Sequence, residues 1–240
     1  MHECSVDAEV QQRWADPEEK RQWYAGAQKY WSEADPTNNG VLGGYERVHP
    51  ADAEDSLRFM WKNKLCRRTG PTPGSRALDV AAGVGRVTDA VLLRVCDTVD
   101  LLEGAQPLLD AAKEKLAPHG DRVGEYICAP MQDFAPAAGR YNLIWLQWCV
   151  GCLADDDLVA FLGRCRAALA PGGLIVVKDN VQEEEDSDTY LVDDDDNSVM
   201  RTREYFEKML TERCGFEIVV QARARLKCSE LHPVRTYALR

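Results

Sequence analysis

A chain of 240 residues with 45% apolar residues and a formal net charge of −11 has room for one large α/β domain, or one domain plus a cap. Its acids gather at Asp155–Asp157, Glu183–Asp186 and Asp193–Asp196. That sign argues against non-specific nucleic-acid binding and is compatible with a cationic acceptor, although solubility accounts for most of these charges.

Asp16-Pro17 reads as a helix start, a capping acid followed by proline at the first helical position. The helix runs to about Ala34, with Trp23, Ala27, Tyr30 and Trp31 on related faces. Asp35 to Tyr45 is a glycine-rich loop, and a second helix is expected from about Ala51 to Arg68. A Pro- and Gly-rich link over 69–75 separates a helical extension and lid, residues 1–69, from a core domain, residues 70–240. In the core, strands are expected near 76–81, 98–103, 123–128, 141–147 and 173–179, with helices near 86–95, 106–117, 156–170 and 199–214. Two strands, near 216–224 and 233–239, close the chain. Alternation of strand and helix implies a mainly parallel sheet with right-handed crossovers, and the closing hairpin adds one antiparallel strand. The longest apolar run, Leu143 to Leu153, is broken by Gln147 and too short to span a bilayer. With no apolar leader at the N-terminus, the expected location is the cytoplasm, with the nucleus as an alternative. Nine cysteines then read as reduced thiols; Cys149-Val-Gly-Cys152 has C-x-x-C spacing but lacks two further ligands, and no metal is expected.

The most informative stretch is Ala77 to Thr88, ALDVAAGVGRVT. A short apolar strand carrying Asp79 runs into Ala81, Gly83 and Gly85, and an amphipathic helix follows with Val87, Val91, Leu92 and Val95. A strand, a small-residue turn and a helix start let the backbone approach a nucleotide-like cofactor and offer it unpaired N–H groups. A dinucleotide site wants G-x-G-x-x-G, and Thr88 stands where its third glycine would be. The alternative, acid-x-Gly-x-Gly-x-Gly, is matched except that Ala81 replaces the first glycine. This form resembles motif I of class I AdoMet-dependent methyltransferases. An acid ending the next strand should hold the ribose hydroxyls, and Glu103 stands there, about 20 residues after the loop. The fold this implies is an α/β, seven-stranded, mostly parallel Rossmann-like sheet with one antiparallel strand and an N-terminal helical cap. Ligands of such sheets bind beyond the strands' carboxyl ends. Those ends read Asp79–Gly85, Glu103–Ala105, Met131–Asp133, Gln147–Trp148 and Lys178–Asn180, and Leu169-Ala-Pro-Gly-Gly173 resembles a turn common in these enzymes.

Over roughly residues 22–240 the chain resembles a narrower family, the α-N-terminal protein methyltransferases that modify Xaa-Pro-Lys N-termini. The resemblance rests on Tyr30-Trp31, Leu42-Gly-Gly-Tyr45, Ala82-Gly-Val-Gly-Arg86, Gln132-Asp-Phe134, Ile144-Trp-Leu-Gln-Trp148, Lys178-Asp-Asn180, Asp193-Asp194, Asp196, Ser198 and Ala238-Leu-Arg240, in that order. It implies S-adenosyl-L-methionine as cofactor, with S-adenosyl-L-homocysteine as product. It also implies an AdoMet pocket of Gly83, Gly85, Arg86, Glu103, Gly104, Ala105, Met131, Gln132 and Gln147, with Arg86 meeting the methionyl carboxylate. On the acceptor side it implies Trp31, Leu42, Trp148, Asn180, Asp193, Asp196 and Ser198. Leu42 would be part of a lid, Trp148 an indole wall for the acceptor's proline, Asn180 a clamp on the peptide start, Asp193 a partner for its lysine and Asp196 the base. The expected partners are protein N-termini beginning Xaa-Pro-Lys, with no nucleic acid and no membrane, and a monomer is expected.

Three positions depart from the family. Its histidine two residues beyond Val150 is Cys152 here, a thiol that cannot copy an imidazole as proton relay. Ala81 replaces glycine, and acids crowd Asp193–Asp196 where the family has an apolar residue. A calcium loop there would need Gly at position six and a bidentate Glu at twelve, and both are lacking. Two other readings stand beside the first: a class I methyltransferase for a small molecule or another peptide amine, and a catalytically silent AdoMet-binding partner protein. A nicotinamide-dependent dehydrogenase ranks last.

Overall fold

The computed structural model describes residues 6–183, 188–226 and 228–240; of the acidic run 183–186, only Glu183 falls within them. The described residues begin with helix α1 (Val6–Ala15), for which the sequence reading gives no expectation. Helix α2 (Pro17–Glu33) starts where its signals place it. The Asp16 side chain accepts the N–H groups of Glu18 and Glu19 at 2.8 and 3.0 Å, pairing two donors the helix itself cannot use. The glycine-rich loop holds a short turn of helix, α3 (Asn38–Val41), and then α4 (His49–Lys62), which begins earlier and stops sooner than the expected 51–68.

The core strands are β1 (Thr72–Val80), β2 (Cys96–Glu103), β3 (Val123–Cys128), β4 (Tyr141–Gln147) and β5 (Leu169–Asn180). After β1 the chain is helical from 86 to 95, as a π-turn at Thr88–Leu92 followed by α5 (Leu93–Val95). Helices α6 (Gln106–Leu116) and α7 (Asp155–Ala168) follow β2 and β4. In β4, Tyr141, Ile144 and Leu146 enter one core cluster while Leu143 and Trp145 enter the other. A strand covered on both faces is apolar where it is covered, hence the run Leu143–Leu146 that marks it in the sequence.

One expectation fails beyond β5. The helix expected over 199–214 is preceded by a hairpin, β6 (Tyr190–Asp193) and β7 (Ser198–Arg201), and only α8 (Arg203–Lys208) and a π-turn at Met209–Arg213 are helical. Val199 and Arg201 are buried while Ser198 and Met200 are half-exposed, the period of two that belongs to a strand. The chain ends on β8 (Ile218–Arg223) and β9 (Val234–Leu239).

The large sheet runs β3-β2-β1-β4-β5-β9-β8. Its adjacent pairs are parallel except those made by β9, which is antiparallel to both β5 and β8. Strand order reverses between β1 and β4, and a ligand crevice opens beyond the carboxyl ends at such a switch point. Val80 and Leu146 are register partners there, directly under Ala81 and Gln147.

Candidate active site

The turn after β1 is bent by three consecutive left-handed positions at alternate residues: Ala81 (φ +51), Gly83 (φ +55) and Gly85 (φ +73). Gly85 turns toward α6, where a Cβ would lie 2.7 Å from Leu116 Cδ1, so glycine lets that helix close on the loop. Gly83 faces α3, with the site of its missing Cβ 3.4 Å from Val41 Cγ1. Its N–H donates to Glu103 Oε2 at 2.8 Å, and the Ala105 N–H donates to Glu103 Oε1 at 2.8 Å. Burial pushes the Glu103 carboxyl up, against the pull of those N–H groups. With two acceptor sites used and others turned to the cleft it lines, Glu103 can still receive a diol. Asp79, beneath the turn, accepts the Thr88 hydroxyl at 2.7 Å and is pushed up to about 6 by burial.

The same cleft is lined by Arg86, 6% exposed. Its Nη1 donates to Asp52 Oδ2 at 2.7 Å, and its Cζ lies 4.8 Å over the Trp148 ring. Asp52, on α4, also accepts Gln147 Nε2 at 2.8 Å and pairs with Lys178 Nζ at 2.6 Å. Burial works against its charge, but the Lys178 ammonium and Arg86 guanidinium hold its carboxyl below the ordinary value. Gln147 is fixed from its other side by the Trp145 indole N–H, 3.0 Å away. The fit to AdoMet is therefore chemical as well as spatial. Glu103 offers a carboxylate that could hold a ribose diol, and Arg86 a guanidinium that could meet an amino-acid carboxylate. Ala82, Ala105, Leu108 and Met131 supply apolar wall in the same cleft.

A second cleft adjoins the first, sharing Trp31, Val41, Trp148, Cys149 and Cys152. Leu42, Asn180, Asp193, Asp196 and Ser198 line it. Asp196 Oδ1 is buried and has no hydrogen-bond partner among the described residues, while burial pushes the carboxyl up and the Ser198 hydroxyl pulls the other way. Asp179 also faces this cleft. Burial pushes it up to about 6, although it accepts N–H groups from Cys149, Val150 and Asn180 at 3.0, 3.1 and 2.8 Å. Cys152 is half-buried and its thiol is pushed up to about 12, by burial first and by the Asp196 charge next, so it is a neutral group at neutral pH. Trp148 adopts φ +53, a left-handed backbone unusual for a bulky side chain and typical of functional sites.

The residues expected on the cofactor side thus gather at one cleft. Arg86, Glu103, Gly104, Ala105, Met131, Gln132 and Gln147 line it, Gly83 reaches it through Glu103, and Gly85 serves the packing of α6 instead. All seven residues expected on the acceptor side line the second cleft. Sequence reasoning missed Asp52, and placed Lys178 and Asp179 at a ligand-facing strand end without giving either a role. Among the described residues no cluster of three or more His, Cys, Asp or Glu could hold a metal, and no helix is long and apolar enough to cross a membrane.

A sheet of this order, with its one antiparallel strand and an acid closing β2 against a glycine-bent turn, defines a class I AdoMet-dependent methyltransferase. Within that class the chain belongs to the AdoMet-dependent proline di-methyltransferase family, which it matches over residues 19–240. It is similar to N-terminal Xaa-Pro-Lys N-methyltransferase 1 of Danio rerio, 40% identical over 223 residues that cover 93% of this chain and 97% of that protein. The alpha N-terminal protein methyltransferase 1 of Arabidopsis thaliana is 37% identical over 257 residues, covering 100% and 91%. Among solved structures, a SAM-dependent methyltransferase from Leishmania major superposes with a TM-score of 0.84 at 35% identity, covering 98% of this chain and 91% of that one.

Proposed function

We propose that this enzyme, acting as a monomer, methylates the α-amino group of protein N-termini that begin Xaa-Pro-Lys. The observation that carries the reading is the unpaired Asp196 Oδ1, buried in a cleft that opens directly onto the AdoMet cleft. A buried carboxylate oxygen without a donor suits a cationic or hydrogen-bearing nitrogen. The names of the relatives agree with an amine of that kind.

AdoMet, when bound, supplies an electrophilic methyl group on a sulfonium sulfur. Glu103 would hold its ribose, Arg86 its carboxylate, and Gln147 and Met131 would line its flank. The acceptor nitrogen must attack as the neutral amine, and at neutral pH roughly a tenth to a quarter of a free α-amine is neutral. Asp196 accepts a hydrogen from that nitrogen and aims its lone pair toward the neighbouring cleft. Because an adjacent carboxylate also raises the amine's pKa, its contribution lies in orientation and proton acceptance together. Cys152, held protonated, takes no part in proton removal. Asn180 would bind the peptide start, the Trp148 indole would pack on the proline, and Asp193, exposed at the cleft rim, would meet the lysine. Residues 1–69 act as the lid, with Leu42 over the peptide.

The test is mass spectrometry of a proline-second, lysine-third peptide incubated with AdoMet, beside its N-acetylated twin. Mass gain by the free peptide alone is expected, and Asp196→Asn should abolish most turnover while sparing AdoMet affinity. Turnover confined to small amines would move the assignment to the small-molecule reading, and AdoMet binding without turnover to the silent partner.

A further inference from the structure

Helix α1 lies ahead of residue 19, where the family match begins, and it does not line either cleft. Its contacts nonetheless converge on the β6–β7 hairpin. The Asp7 carboxylate accepts two successive backbone N–H groups where β6 starts, Thr189 at 3.0 Å and Tyr190 at 3.1 Å. Gln11 Nε2 donates to the Tyr190 hydroxyl at 2.6 Å. The Trp14 ring meets Tyr190 edge-on at 5.3 Å and Trp23 edge-on at 6.0 Å. Val10, Trp14, Trp23, Tyr190 and Val199 form one buried cluster, separate from the two cores that flank the main sheet. At the hairpin tip Arg13 reaches Asp194 at 3.2 Å.

Trp23 carries the same support to the other wall of the acceptor cleft. Its indole N–H donates to the Cys152 carbonyl at 3.0 Å, and its own carbonyl accepts Asn197 Nδ2 at 2.9 Å, in the turn between Asp196 and Ser198. Gly26, one helical turn on, leaves room for that amide: a Cβ there would lie 2.1 Å from Asn197 Nδ2. A two-stranded hairpin is marginal in water unless one face is covered. Here the cover is α1, with α2 behind it.

We propose that α1 is a positioning element for the acceptor: by clamping the hairpin it sets where Asp193, Asp196 and Ser198 stand, and so governs peptide binding without touching the cofactor. The proposal rests on the peptide reading of the acceptor cleft. Chemically, it assigns to Asp7 the role of a fixed double acceptor that registers β6, and to Trp14 the role of a wedge between hairpin and α2. Neither side chain meets a reacting atom.

The experiment uses the full chain with Asp7→Asn and, separately, Trp14→Ala. Four readouts are taken: KM for an Xaa-Pro-Lys peptide, kcat, S-adenosylhomocysteine affinity by calorimetry, and backbone hydrogen exchange over residues 189–201. Each variant is expected to raise the peptide KM roughly tenfold, the equivalent of a lost charge-assisted contact. Cofactor affinity should stay within about twofold, and the loss of exchange protection should centre on the hairpin. Cofactor affinity falling in step with peptide affinity would reduce α1 to a general stabiliser. Faster hairpin exchange with an unchanged KM would equally overturn the proposal. If the unaltered chain methylates no such peptide, the functional reading fails by itself. Exchange still decides the clamp in that case, and unaltered protection over 189–201 in both variants refutes it.

Discussion

Asp52 stands behind Arg86, its Oδ2 2.7 Å from the guanidinium, so the cation that faces the cofactor cleft is anchored from helix α4 and not from its own element. Lys178, fully buried on β5, and Gln147 on β4 share the same carboxylate. One acid thereby ties two strands and the helix start after β1 to helix α4.

Asp52→Asn is expected to weaken S-adenosylhomocysteine about tenfold through loss of a charge-assisted hydrogen bond to Arg86. Methylthioadenosine, which lacks the amino-acid carboxylate, should bind as before. Calorimetry with both ligands decides the matter, and equal losses would sink the anchoring role. The variant should also lose a few kcal/mol of stability, because Lys178 keeps a buried charge with its main partner gone.

Asp79 gives a pH-dependent prediction. Its folded pKa of about 6 lies above the ordinary value, so the native state is the better proton binder. Stability from this group is complete below about pH 4 and is lost as pH rises through 6, a swing of roughly 3 kcal/mol. Asp79→Asn, isosteric with the protonated acid, should therefore raise the midpoint of thermal unfolding at pH 8 by more than at pH 5, relative to the unaltered chain. The opposite ordering would contradict the burial argument.

Ala81→Gly should stabilise the protein. The left-handed φ of +51 costs alanine about 1–2 kcal/mol, and the extra freedom of glycine in the unfolded chain takes back part of it. Urea unfolding is expected to show a gain of about 1 kcal/mol at unchanged slope. A loss would mean that the alanine methyl makes packing contacts worth more than the strain.

Cys152 should resist alkylation. With a pKa of about 12, roughly one molecule in 10⁴ is thiolate at pH 8, and the thiolate is the nucleophile. Timed iodoacetamide labelling read by peptide mapping should show exposed Cys128 modified well before Cys152. Early modification of Cys152 would reinstate it as a candidate proton acceptor.

Much of the core was legible because its central strands are buried on both faces and read as apolar runs, as Leu143–Leu146 of β4 does; β3, an edge strand exposed over much of its length, has its expected bounds without that signal. Glu103 was legible from spacing alone, since an acid ending the strand after a glycine-bent turn has a geometric purpose. The acceptor set came from family likeness. Nothing local marks Asp193 or Asp196 as facing a cleft, because the hairpin strands that place them are four residues each, too short for a period to emerge. Asp52, and its pairing with Lys178, escaped for a different reason. They lie 126 positions apart, and a pairing across that distance leaves no trace in composition or spacing. Helix α1 was passed over because it precedes every motif that carried the resemblance.

The indole of Trp148, on its left-handed backbone, is a party wall. The same side chain lines the cleft suited to the donor, where the Arg86 guanidinium lies over its ring, and the adjoining cleft proposed for the peptide. On the proposed reading, donor and peptide therefore meet the same side chain, and whatever ordering one imposes on it the other shares. Linkage is then reciprocal: the factor by which the donor changes peptide affinity is the factor by which the peptide changes the donor's.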